Sequence, residues 1–153
     1  MKFLELKIPP VILVLSFLLF MWVLGRYSPK IGFEYTTRLV LFVFIGVVSA
    51  LISLSGVMHF RAAKTTVDPR NPKKSEILVT NGIYRYTRNP MYVGFSFFLI
   101  GFSIFLNSAY SAILVPIFIV YLTLFQIIPE EKILQQIFTQ EFINYKNSVR
   151  RWL

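Results

Sequence analysis

Residues Asn89–Pro129 read NPMYVGFSFFLIGFSIFLNSAYSAILVPIFIVYLTLFQIIP, 41 residues without a charged side chain. A helix rises 1.5 Å per residue, so as one rod this stretch would measure ~60 Å, about twice the ~30 Å hydrocarbon core of a bilayer. It must fold back on itself. Asn107-Ser108 is the strongest turn signal inside it. The turn divides the stretch into spans of about residues 92–106 and 109–128. Pro116 falls inside the second span, where it leaves a carbonyl one turn earlier without its partner and should kink the helix.

Two further uncharged stretches lie upstream, 18 residues from Ile8 to Gly25 and 22 from Leu39 to Phe60. They predict spans of about residues 9–24 and 39–58. Pro9 and Pro10 suit the first turn of a helix, where the missing N–H had no partner to lose. The first span could pass for a secretory signal, but its exit, Gly25-Arg26-Tyr27-Ser28-Pro29, lacks a small-x-small cleavage pattern. A length of 153 residues with 56% hydrophobic and 15% charged residues excludes an ordinary soluble domain and argues against disorder. The expected fold is all-α, a single domain over residues 1–153: an integral membrane bundle of about four transmembrane helices, a loop at 59–91, and a C-terminal segment at 129–153.

In that C-terminal segment Pro129 can open a new helix, with Glu130 and Glu131 in its first turn, where the helix dipole favours negative charge. Ile133, Leu134, Ile137 and Phe138 recur at helical spacing, which predicts an amphipathic helix lying on the membrane or on the bundle. Four spans bring both termini and the middle loop to one side. That side holds 13 basic residues and the other holds Arg26, Lys30 and Arg38. Lys and Arg collect on the cytoplasmic side, so both termini and the loop are expected there, in a multi-pass protein of the cell (inner) membrane. The net charge of +9 is then a topology signal, and no nucleic-acid partner is expected.

Inspection strikes off several chemistries. His59 is the only histidine and Asp68 the only aspartate, and no G-x-S-x-G elbow is present to serve a Ser-His-Asp triad. With no Cys and one His, a zinc site would rest on carboxylates, so no metal is expected and His59 reads as an interfacial residue. Neither a G-x-G turn nor a Walker A sequence occurs. Two polar clusters remain. Thr80–Gly94 carries three tyrosines, two arginines and an Asn-Pro turn directly before the third span. Composition reads it equally as an aromatic belt with positive-inside arginines, or as a small-molecule pocket whose tyrosines face a cation and whose arginines fork a carboxylate. Glu130-Glu131 reads equally as helix-dipole charge or as a functional pair, since adjacent carboxylates at a membrane boundary are costly without partners. The hairpin returns Glu130 to the membrane face that carries Tyr84 and Tyr92.

The stretch Gly82-x-Tyr84-x-x-x-Arg88-Asn89-Pro90-x-Tyr92-x-Gly94, followed by a hydrophobic span pair and Glu130-Glu131, resembles the isoprenylcysteine carboxyl methyltransferase family of membrane methyltransferases, which shares this signature with phospholipid N-methyltransferases. The upstream Phe60-Arg61-x-x-x-Thr65-Thr66-x-x-x-x-x-Pro72 and the tail Phe138-x-x-Glu141-Phe142-x-x-Tyr145-x-x-x-Val149-x-Arg151-Trp152 look like family members too. The resemblance implies methyl transfer from S-adenosyl-L-methionine, with cofactor contacts at Glu76, Ile77, Leu78, Val79, Tyr84, Arg88, Asn89, Pro90, Met91, Tyr92 and Glu130.

The chain departs from the pattern in three places. Asn89 stands where the family commonly has histidine. Thr139 stands where it has the glycine of a Phe-Gly turn. Gln126 stands where the prenylcysteine enzymes look to hold the substrate carboxylate with an arginine. An amide can orient an acceptor but cannot neutralise a carboxylate. Either the acceptor is not a free prenylcysteine carboxylate, or Arg150 or Arg151 from the tail supplies the charge. Transfer from a sulfonium is an in-line displacement, in which the protein positions donor and acceptor and excludes water. An amine acceptor must also lose a proton, to Glu130, Glu131 or a tyrosine. The resemblance therefore implies a membrane methyltransferase acting on a lipophilic acceptor, with isoprenylcysteine-type O-methylation expected. Phospholipid amine N-methylation and a non-enzymatic membrane scaffold stand as alternatives.

Overall fold

A computed structural model describes residues 5–62 and 77–153. The upstream motif at Thr65, Thr66 and Pro72, and the cofactor candidate Glu76, lie outside them. Among the described residues the chain is helical, with no strand beyond an isolated bridge between Lys30 and Ser108. The helices are α1 (Pro10–Gly25), α2 (Tyr35–Ala62), α3 (Pro90–Leu106), α4 (Ala109–Leu122) and α5 (Ile128–Ser148). A 3-10 turn, Gly82–Arg85, precedes α3, and a π-helical turn, Thr123–Ile127, joins α4 to α5.

Local chemistry sets the ends. Proline opens α1 and α3 in the first turn. α3 stops at Asn107, which takes the left-handed conformation (φ 55) that asparagine tolerates. Ser108 then caps α4, its Oγ accepting from the Ser111 N–H at 3.0 Å. The reversal thus falls at the Asn107-Ser108 turn. α2 runs four residues beyond the expected span at each end. At its start the Arg38 side chain donates from Nη1 to the Phe105 carbonyl at 3.1 Å, which gives the charged group a partner there. Pro116 sits inside α4 without ending it.

Among the described residues two stretches are long and apolar enough to cross a membrane: α2, and the 40-residue run Ala109–Ser148 formed by α4, the π turn and α5. α1 and α3 are apolar but shorter, at 16 and 17 residues.

α3 lies at the centre. On one side it meets α2 through small residues. Ser49 Oγ donates to the Gly94 carbonyl at 2.6 Å, and a Cβ at Gly94 would come within 2.0 Å of Ser53 Oγ. Higher up, Phe42 packs on Phe98, Phe102 and Phe105. On the other side Tyr92 and Leu99 join Leu13, Val14 and Met21 of α1 and Val115, Phe118 and Leu122 of α4 in one core. The outward faces are apolar as well: Leu15 and Leu19 on α1, Val40, Phe44 and Leu51 on α2, and Ile113 and Ile117 on α4 are all exposed. So broad a belt suits hydrocarbon, not water.

Candidate functional site

The site assembles at the end of the bundle where α2 finishes, α3 begins and α4 passes into α5. Gly82 opens the 3-10 turn with φ 58, and the His59 ring occupies the space its Cβ would need. The turn drives the Tyr84 ring inward against Phe60, centroids 5.3 Å apart and edge-on. Tyr145 locks it by donating its hydroxyl to the Tyr84 carbonyl at 2.7 Å. The Tyr84 hydroxyl itself is buried and has no hydrogen-bond partner among the described residues. It lies beside Gly56 of α2, where a Cβ would sit 3.4 Å from it. Burial, then the neighbouring Tyr145 and Glu130, hold the Tyr84 phenol well above its ordinary pKa, so it stays a donor.

Two glutamates divide the chemistry. Glu130 accepts from Tyr92 Oη at 2.8 Å and from Gln126 Nε2 at 2.9 Å, both on Oε1. Gln126, inside the π turn, precedes Glu130 by four residues, and the two side chains meet directly. Burial pushes the Glu130 pKa up to about 8, and adjacent Glu131 adds to this; the hydrogen bonds from Tyr92 and Gln126 pull the other way. Glu131 points elsewhere. Arg88 Nη2 meets its Oε1 at 2.7 Å, Arg151 Nη2 its Oε2 at 2.7 Å, and Arg151 Nε its Oε1 at 3.0 Å. Burial works to raise the Glu131 pKa, but the bonds and charges of Arg151 and Arg88 outweigh it, so the group lies below the ordinary value. A carboxylate held by two guanidiniums is a poor proton acceptor.

The C-terminal tail closes over the start of α3. Arg88 Nη1 donates to the carbonyls of Val149 (2.6 Å) and Lys146 (2.9 Å), and its N–H donates to that of Arg150 (3.0 Å). Asn89 Nδ2 donates to the Arg151 carbonyl at 2.9 Å.

Of the residues singled out by sequence, Tyr84, Arg88, Asn89, Pro90, Met91, Tyr92, Gln126, Glu130, Glu131 and Arg151 therefore gather at this end. Val79 is buried with Tyr84, Phe142 and Tyr145, and Leu78 packs on that group. Ile77 is exposed. The Arg150 side chain is exposed, and its part in the cluster is the carbonyl that Arg88 binds. Sequence reasoning missed Thr87, which is buried, donates to the Arg151 carbonyl (3.3 Å) and accepts from the Asn89 N–H (3.1 Å). It also missed Gly56, whose role is to leave space, and nothing in its flanks marks it.

The arrangement offers a carboxylate and phenols to a cation, together with one buried hydroxyl that still needs an acceptor. Those groups fit a ligand with a positive centre and hydrogen-bond acceptors of its own. Among the described residues no three His, Asp or Glu side chains gather as metal ligands.

The sequence pattern of the phospholipid methyltransferase family matches residues 37–141. The chain is also 38% identical over 84 residues to the Protein-S-isoprenylcysteine O-methyltransferase of Saccharomyces cerevisiae, a stretch covering 52% of this chain and 34% of the yeast protein. The match thus spans about a third of that relative's length. No solved structure matches.

Proposed function

The chain belongs to the phospholipid methyltransferase family, and on that premise we propose that it transfers a methyl group from S-adenosyl-L-methionine to a lipophilic acceptor within a membrane. The observation that carries the reading is Glu130, held on one oxygen by Tyr92 and Gln126, at the same end of the bundle as the unpartnered Tyr84 hydroxyl. In this reading Glu130 faces the positive centre of the cofactor, and Tyr84 and Tyr92 orient it. The cofactor, when bound, supplies a methyl group on a sulfonium. The protein aligns donor and acceptor and keeps water out. α1 to α4 are the four spans, residues 1–153 form one domain, both termini and the 59–91 loop face the cytoplasm, and α5 lies at the surface of the inner membrane.

The yeast relative favours a prenylcysteine carboxylate as acceptor. One feature of the site favours an amine. Gln126 already donates to Glu130, and Arg88 and Arg151 are both engaged by Glu131. A carboxylate placed at Gln126 would meet an amide and another carboxylate, with no guanidinium of this cluster turned toward it. An amine would meet Glu130, whose ionised form can take its proton. Purified protein given methyl-labelled cofactor, with a prenylcysteine analogue or phosphatidylethanolamine in the same vesicles, separates the two. Label in a base-labile ester supports the first, and label in the lipid headgroup supports the second. A folded sample that binds no S-adenosylmethionine would leave only the scaffold reading.

A further inference from the structure

The five tail residues, Val149–Leu153, touch both halves of the molecule. Val149 packs on the group around Tyr84 and Tyr145, and Trp152 packs on the main core and donates its Nε1–H to Thr123 Oγ1 of the π turn at 3.2 Å. Between them, Arg151 is tied to Glu131 by two hydrogen bonds, and Glu131 is tied in turn to Arg88. The side chains of Arg88 and Glu131 are 8% and 10% exposed. A buried carboxylate shared by two guanidiniums is held in one geometry, because losing either partner strands a charge.

Glu131 adjoins Glu130 on α5. Arg88 adjoins Asn89, which stands just before the helix bearing Tyr92. The clamp therefore fixes the relative position of the two elements that supply the Tyr92–Glu130 pair. We propose that Glu131 is a positioning residue: acting through Arg88 and Arg151, it holds the C-terminal tail across the start of α3 and keeps Tyr92 and Glu130 in register for the cofactor. This rests on the methyltransferase reading above. It gives Glu131 a role distinct from that of Glu130, although the two form one sequence pair.

The test uses the full chain in detergent, with S-adenosylmethionine binding measured by titration calorimetry and the tail followed by hydrogen exchange at the Arg88 amide, which donates to the Arg150 carbonyl. In Glu131→Gln the amide should exchange faster and affinity should fall about tenfold, the scale of losing a charge-assisted contact. Arg151→Gln should do the same more weakly. The double variant should bind no worse than Glu131→Gln alone, because residues acting through one clamp are non-additive. A change that merely loosened the fold would speed exchange throughout the bundle, including the α2–α3 seam, whereas lost positioning speeds it at the Arg88 amide and leaves that seam protected. If Glu131→Gln does not fold, Arg151→Gln and Arg151→Lys carry the test, the lysine restoring part of the affinity if the charge holds the clamp. Wild-type protein that binds no cofactor overturns the methyltransferase reading, and the positioning role with it. Wild-type binding with undiminished affinity in every clamp variant, or with additive losses, overturns the positioning role alone.

Discussion

Glu130 turns its carboxylate toward Tyr92 and Gln126, and Glu131 turns its own toward Arg88 and Arg151. Only an ionised Glu130 attracts a sulfonium or an ammonium. With its pKa raised to about 8, the ionised fraction grows as pH rises toward that value and levels off above it. S-adenosylmethionine affinity should therefore increase by up to about tenfold per unit between roughly pH 6 and 8 and then flatten. Glu130→Gln should bind more weakly and lose this slope. Calorimetry across that range checks both, and an affinity that falls as pH rises would reverse the sign. Tyr92→Ala and Glu130→Ala should each cost ~1.5–3 kcal/mol of cofactor binding, roughly ten- to a hundredfold. Unchanged affinity in both would put the pocket elsewhere. Thr139 carries a different strain. Its φ of 37 and ψ of −110 interrupt α5, a conformation that a β-branched residue adopts at a cost. Glycine, which has no Cβ, would relieve it. Thr139→Gly should raise stability by about 1 kcal/mol in denaturant titration despite the looser unfolded chain; a lowered midpoint would count against this.

At the level of elements, α2 and α3 meet along a seam of small residues. A Cβ on Gly94 would meet Ser53 Oγ at 2.0 Å and the Ser49 backbone carbonyl at 2.8 Å. The first could swing aside, but the second cannot. Gly94→Ala should cost about 1–3 kcal/mol as the helices are forced apart. Adding Ser53→Ala should recover only part of that. Full recovery in thermal melts would show that the side chain, not the backbone, sets the spacing. The π turn between α4 and α5 is the other element with a consequence. A wide turn inserts an extra residue and rotates everything after it relative to what came before. Gln126 lies inside it, and the tail and the N-terminal segment brace it: Trp152 on Thr123, and the Leu6 N–H on the Phe125 carbonyl at 3.0 Å. Periodicity alone carries one helix through this region, so the facing of Glu130 and Glu131 was beyond it.

For the whole molecule, the basic residues among the described chain divide by end. Lys132, Lys146, Arg150 and Arg151 lie with the site, whereas Arg26, Lys30 and Arg38 lie at the opposite end of the bundle. If the site end faces the cytoplasm, cysteines introduced one at a time at Lys132 and Lys30 should react with a membrane-impermeant thiol reagent from opposite sides. The chain has no cysteine of its own, so each label is unambiguous. Lys132→Cys labelled in intact cells, or both positions labelled from one side, would refute the topology.

Composition and turn chemistry carried much of this in one dimension. Uncharged length marked the helices, Asn107-Ser108 marked the reversal, and the span from Gly82 to Glu131 marked the family and most of the residues that gather at the candidate site. These signals are local, because apolar run length and a left-handed asparagine depend on few neighbours. The pairing of the two glutamates did not follow from the sequence. Glu130 and Glu131 are identical side chains one residue apart, some 100° apart around a helix. Their environments depend on a π turn, on a glycine seam that sets how close α2 lies, and on a tail that returns from twenty residues away. Partner choice in a buried site depends on which donors reach it in space, and that is decided when the helices pack.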